Sequence, residues 1–287
     1  MQSDEASHGM DIDLPDFSIR ELRNAIPTPC FERSASRGLF YLLRDVGALA
    51  VTFYTFNACV TPTIVPHPLA RVLLWTLYTF LQGLFGTGVW VLAHECGHQS
   101  FSESWILNDA VGWVCHSALL VPYFSWKITH SKHHRKAGHM QQDTAFVPKT
   151  RDEYAAGISS PPHQLAHLAA ETPLATAGQL VAMQLGGWPM YLMFYVTGRG
   201  RNESFFSECE GRFWLRSSSH FLPWSNLFGK QDKHRILLSD LGIGVMLVLL
   251  TTVVSRFGWA NFATWYFAPY LWVNSWIGES SGGCASV

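Results

Sequence analysis

Val72 to Ala93 is a run of 22 residues without a charged side chain, and it leads directly into His94-Glu95-Cys96-Gly97-His98. At about 1.5 Å of rise per residue, a helix of that length spans a hydrocarbon core of about 30 Å. Backbone polar groups in lipid must be satisfied internally, so the chain is restricted to a membrane fold, here of helices. His94 and His98, at i and i+4, share one helix face. A second cluster, His130-Ser131-Lys132-His133-His134, places three histidines at i, i+3 and i+4. Neutral imidazole binds Fe, Zn and Cu, and five histidines gathered in two such clusters exceed what packing requires. The expectation is a metal site at a membrane surface.

Composition agrees with a bilayer environment. Only 14% of the 287 residues are charged and 48% are hydrophobic, against about 25% charged in a typical soluble domain. The formal net charge of -1 carries no basic excess, so nucleic acid is not an expected partner. Six scattered cysteines without a CxxC pair read as reduced thiols. Met1 to Pro15 is acidic and polar, unlike a cleavable signal peptide, so insertion is expected to rest on the internal spans.

The fold class read from these patterns is an all-α integral membrane protein: four transmembrane helices in two hairpins, interfacial helices and a cytosolic histidine-bearing face. The expected spans are Leu39–Val60, Val72–Ala93, Ile236–Val254 and Phe262–Ile277, with turns at Pro62, Pro66 and Pro68 and at Arg256–Ala260. Arg44 and Asp45 lie inside the first span and are expected to pair or to reach the interface. Ala110–Phe124 is too short to cross and reads as buried, re-entrant or interfacial. Gly178–Val196 is interrupted by Gly186, Gly187 and Pro189 and is expected to enter and leave on one side. Between Val60 and Val72 the only Lys or Arg is Arg71, whereas Lys127, Lys132, Arg135, Lys136, Lys149 and Arg151 follow the second span. A second basic stretch, from Arg199 to Arg235, precedes the third. The positive-inside tendency puts both basic stretches, and the histidines, in the cytosol.

Taken alone, His94-Glu95-Xaa-Xaa-His98 is also the pattern of a membrane zinc metalloprotease, with Glu95 as general base. That reading lacks a third ligand and leaves His130, His133 and His134 unused. Five imidazoles exceed one tetrahedral zinc site and suggest two metal ions, with iron suited to O₂ chemistry. Other histidines are weaker candidates: His116 reads as a hydrogen-bonded interior residue, and His163, His167, His220 and His234 as solvated loop residues, while His139 sits in a polar loop. Tyr123 and Trp126 either border an acyl channel or anchor the interface as an aromatic belt. Asp143 either orients a ligating histidine or is a solvated loop aspartate, the latter being the commoner case.

In combination these motifs resemble the membrane-bound fatty acid desaturases. The resemblance runs through the first cluster, Leu120-Val121-Pro122-Tyr123-Phe124-Ser125-Trp126-Lys127, the second cluster and Phe146-Val147-Pro148-Lys149. Within the family the chain is similar to the fungal microsomal acyl-lipid Δ12 (oleate) desaturases, including Ala25-Ile26-Pro27 and Cys30-Phe31-Glu32-Arg33-Ser34. That resemblance implies two non-haem iron ions held by His94, His98, His130, His133 and His134, with O₂ as co-substrate. It further implies cytochrome b5 and its reductase as electron donors, an oleoyl chain on phospholipid as substrate, and a multi-pass location in the endoplasmic reticulum membrane. Acetylenases and hydroxylases share the scaffold.

The family also carries a third histidine box, HxxHH, after the fourth span, and no histidine follows His234 here. The expected organisation is a cytosolic segment at 1–38, a desaturase membrane domain at 39–277 that is incomplete at its C-terminal side, and an unrelated polar tail at 278–287. Two irons need roughly four nitrogen ligands each, more than five histidines supply. The chain as written is therefore expected to bind iron poorly and to be inactive alone, or to act as a non-catalytic paralogue paired with a full-length desaturase.

Overall fold

The computed structural model describes residues 17–139, 143, 145, 172–195 and 218–282. Outside them lie Phe146-Val147-Pro148-Lys149, His163, His167, the basic residues between Arg199 and Arg216, and the end of the polar tail. All regular structure among the described residues is helical.

The first of two compact units, Met1–Arg33, contributes one short helix, α1 (Ile19–Ala25). Its start is a reciprocal cap: Ser18 Oγ accepts the Glu21 N–H, and the Glu21 carboxylate accepts the Ser18 N–H at 2.6 Å. Pro27 and Pro29 then confine the chain to a single 3₁₀ turn, Thr28–Phe31.

The second unit, Ser34–Val287, holds the apolar helices. α2 (Ala35–Cys59) begins four residues before the expected Leu39 because Ser34 caps it, accepting the Arg37 N–H. α3 (Pro68–Gly97) opens with proline at its first position, where no N–H is needed, and continues through His94. The two pack together, with Gln82 Nε2 donating to Leu49 O at 2.9 Å. Asp45 is buried at their interface and paired with Arg44 (2.7 Å), so the intramembrane charge is neutralised within the helix.

The apolar stretch 110–124 is divided between two helices. α4 (Trp105–Ala118) stops at Leu119, Leu120 turns through the left-handed region (φ 56), and α5 (Tyr123–Lys136) starts after Pro122. α6 (Pro173–Phe194) is one 22-residue helix that runs through Gly186, Gly187 and Pro189. The expected interruption there does not occur, because helix–helix packing outweighs local propensity. α7 (Lys233–Phe262) and α8 (Ala268–Gly282) complete the unit, and α8 extends beyond the expected boundary at 277.

Among the described residues, three segments are long and apolar enough to cross a membrane: Ala35–Cys59, Pro68–Gly97 and the 48-residue Lys230–Ile277. The last contains both of the final two expected spans. Within it Gly258 leaves helical geometry (φ 81, ψ 166), inside the expected turn at 256–260, and a π-helical turn at Ala263–Phe267 follows. The aromatic side chains there pack in rows: Phe262 stacks on Tyr266, and Tyr266 on Tyr270.

α3 is the central element, packed against α2, α4 and α8, while α7 covers α4 and α5. The α7–α5 contact has a specific anchor. Pro122 cannot cap α5, and Ser239 of α7 supplies the missing acceptor: its Oγ receives the Phe124 N–H (2.9 Å) and donates to Arg235 O (3.2 Å). Ser239 is fully buried. Ser239→Ala should lower stability by about 1–2 kcal/mol, a typical cost for a lost cap. Unfolding of the detergent-solubilised protein followed by tryptophan fluorescence measures this, and an unchanged midpoint would contradict the assignment.

Candidate metal centre

Four of the five cluster histidines converge. One ring nitrogen from each of His94, His98, His130 and His134 lies within 4.8 Å of the others. His94 and His98 come from the last turn of α3 and its cap, and His130 and His134 from α5. The Nε2 atoms face inward, with separations of 2.9 Å (His94–His98), 3.3 Å (His94–His130), 3.2 Å (His98–His130) and 3.0 Å (His130–His134).

A neutral imidazole has one donor and one acceptor nitrogen. The Nε2 atoms of His94, His98 and His130 lie within 3.3 Å of one another, and with one donor or one acceptor per atom the three contacts cannot all be N–H···N bonds, whereas a central cation receives every lone pair. Burial, then the neighbouring rings of His94, His134, His98 and His133, push the His130 pKa well down. Burial, His98 and His133 also lower that of His134, against a smaller opposing effect of Glu95. Both rings are thus kept in the neutral form that binds metal. The donor set fits iron or another imidazole-binding transition metal.

Aromatic rings wall the inner side of the cluster. Trp126 stacks on His130 at 4.4 Å, and Trp90 approaches His94 (5.2 Å) and Trp126 (6.0 Å). Trp126 and Tyr123 are 2% and 0% exposed, which excludes the interfacial-belt reading for both. Tyr123 OH and Lys127 Nζ instead donate to Asp109 Oδ1, tying α5 to α4. His116 is buried as expected, against Trp126 (4.8 Å) and Trp90 (5.6 Å), but neither of its nitrogens forms a well-aligned hydrogen bond.

His133, expected with the others, lies outside this group of four. Its Nδ1 is 2.7 Å from Asp143 Oδ1. Asp143 is only 5% exposed, so it is not the solvated loop residue that its polar surroundings suggested. Burial disfavours its ionised form, but the Ala145 N–H, the His133 ring and the Gly138 N–H hold its carboxyl below the ordinary value. Glu95 accepts the hydroxyl of Ser100. The protease reading, built on His94 and His98, does not account for the two imidazoles that α5 adds to them.

His220 also departs from expectation. It is fully buried: its Nε2 is 3.0 Å from Thr129 Oγ1, and its backbone N–H donates to Leu192 O at 3.0 Å. It therefore joins α6 to the turn of α5 that precedes His130. Its setting of Ser217, Ser218 and Ser219 looks like a surface loop, and no sequence signal marked it. His139 and His234 are exposed.

Burial pushes the His220 pKa down to about 4, with the Leu192 and Tyr191 carbonyls opposing. The folded state holds it neutral, while the unfolded chain protonates near 6.5. Its stabilisation is thus complete above about pH 6.5 and is lost as pH falls towards about 4. The thermal midpoint should drop across that window, and His220→Gln should flatten the drop. A slope that the substitution leaves unchanged would refute this.

Family comparison agrees with the geometry. Residues 70–280 match the fatty acid desaturase family model, a region that contains both histidine clusters. The chain belongs to the fatty acid desaturase family. It is 48% identical over 269 residues to an oleate hydroxylase of Claviceps purpurea, covering 92% of this chain and 56% of that protein. Against a Δ(12) fatty acid desaturase of Mortierella alpina it is 40% identical over 271 residues, covering 92% and 64%. Against an oleoyl-12-hydroxylase of Ricinus communis the identity is 36% over 266 residues, covering 92% and 62%. The chain thus spans less than two thirds of the length of these desaturase-family relatives. The family match runs to residue 280.

Proposed function

We propose that the chain carries the first two ligand groups of a diiron centre, in an enzyme that oxidises the Δ12 position of an oleoyl chain on phospholipid. The observation that carries this reading is the convergence of His94, His98, His130 and His134 where α3, a membrane-length helix, ends. Bound iron would activate O₂ to attack an unactivated methylene, which amino acid side chains alone cannot do. Desaturation removes two hydrogens and, with two electrons from a donor, reduces O₂ to two waters. Hydroxylation inserts one oxygen and releases one water. Cytochrome b5 and its reductase are the proposed electron donors.

The chain's own residues prepare the site. His94, His98, His130 and His134 supply the ligand nitrogens, and Trp90, Trp126 and His116 exclude water from their inner side. The Asp109–Lys127–Tyr123 contact and Ser239 hold α5 in register against α4 and α7.

The proposed topology has four crossings in two hairpins, α2–α3 and α7–α8. A straight helix of 48 residues would extend about 72 Å, more than twice a hydrocarbon core, so Gly258 is read as the hairpin turn. Lys132 Nζ donates to Leu227 O, which brings the two basic stretches together beside the histidines. The positive-inside tendency then puts that face in the cytosol, at the endoplasmic reticulum membrane.

Hydroxylation is the second reading, favoured by the 48% identity to an oleate hydroxylase. Five histidines fall short of two four-coordinate irons, so these 287 residues alone are proposed not to turn over and to pair with a full-length desaturase. The test is expression in a yeast that makes oleate but no linoleate. The chain alone should yield neither linoleate nor hydroxyoleate. Joined at residue 277 to the portion of the Mortierella alpina desaturase that follows the matched region, it should yield linoleate. Hydroxyoleate would favour the second reading. Product from the chain alone would overturn the inactivity, and an iron-loaded but silent fusion would overturn the function.

A further inference from the structure

His133 differs from its four neighbours in what its Nδ1 does. That atom faces Asp143 Oδ1 at 2.7 Å, with the His130 ring 6.1 Å and the His134 ring 5.5 Å away, centre to centre. The carboxylate is itself held by the backbone. Oδ1 also accepts the Ala145 N–H at 2.9 Å, Oδ2 accepts the Gly138 N–H at 3.1 Å, and the Asp143 N–H donates to His139 O at 3.1 Å. Asp143 is 5% exposed, so little water competes for these bonds.

A carboxylate that already receives backbone donors can only accept from imidazole. Nδ1 of His133 must then carry a proton, and in the neutral ring the lone pair is therefore on Nε2. We infer that Asp143 is a positioning residue: it fixes the tautomer and ring plane of His133 so that Nε2 is the ligand atom, making His133 the fifth imidazole of the centre. Carboxylates that hold the far nitrogen of a metal-binding histidine act in this way, and their loss typically costs about 10–100-fold in metal affinity. The inference rests on the metal-centre reading above.

The alternative is that Asp143 only pins Gly138 and Ala145 to α5. The two roles separate in the 287-residue protein, purified in detergent, metal-free and labelled with ¹⁵N-histidine. Wild-type His133, assigned by its loss in His133→Gln, should be protonated at Nδ1, and Asp143→Ala should move the proton towards Nε2. Titration with Fe(II) against a competing chelator should show Asp143→Ala weakened about 10–100-fold. Asp143→Asn, whose amide oxygen can still accept from Nδ1, should lose less, and it takes over the test if the alanine variant does not fold.

Protonation of wild-type His133 at Nε2 would overturn the inference. So would an iron affinity that Asp143→Ala leaves unchanged while His133→Gln lowers it, or one that His133→Gln does not lower at all. If His94→Ala also leaves Fe(II) binding unchanged, the metal-centre reading itself fails, a result distinct from the metal-free tautomer measurement.

Discussion

His130→Ala should weaken Fe(II) binding more than about 100-fold, beyond the range seen when only an outer partner of a ligand is removed. His130 occupies the middle of the group: its Nε2 faces those of His94, His98 and His134 at 3.3, 3.2 and 3.0 Å. The other imidazoles are linked mainly through it, and its ring is held against Trp126. Its removal leaves three ligand nitrogens around a gap that no described side chain is placed to fill. His234→Ala, at an exposed position, serves as the control and should bind as the wild type does. Equal affinities in the two variants, by chelator competition, would remove His130 from the centre.

The second large effect is expected far from the histidines. A Cβ on Gly83 of α3 would sit 2.3 Å from the Trp272 Cβ and 3.2 Å from the Pro269 carbonyl oxygen of α8. The obstacle is the root of a side chain and a piece of backbone, neither of which can swing aside. Gly83→Ala should therefore cost about 3 kcal/mol, the upper end of what overpacking usually costs. The same change at Gly47, where a Cβ meets nothing within 4 Å, should be neutral or add up to about 1 kcal/mol of helix propensity. Unfolding midpoints in detergent compare the two. Equal midpoints would mean that α3 and α8 are not closely packed at this point.

Much of this arrangement was legible because it depends on local periodicity. The uncharged run before His94 determined α3, and the i, i+4 spacing determined which rings share a face. The break near Gly258 followed from the short turn at Arg256–Ala260 between two apolar runs. What escaped the sequence depends on contacts between distant segments. The apolar stretch 110–124 carries no polar break at Leu120, yet the backbone turns there and directs α5 back towards α3. Gly186, Gly187 and Pro189 signalled a break that tertiary packing overrides. Asp143 and His220 lie in polar, small-residue surroundings, and their burial becomes evident only when the partner elements are in place. The i, i+3 spacing put His133 beside its neighbours but could not register the carboxylate ten positions later that faces its Nδ1.

The two halves of the histidine cluster belong to helices that are steadied from different quarters: α3 by α8 through Gly83, and α5 by α7 through Ser239. α7 and α8 are consecutive stretches of one bent segment. A cation gripped by both halves would close a mechanical ring running from α3 to α8, back along α7 to α5, and across the imidazoles to α3. Filling the centre should therefore slow hydrogen exchange in the apolar helices well away from it, and loosening the bend should be felt as a lower grip on the ion.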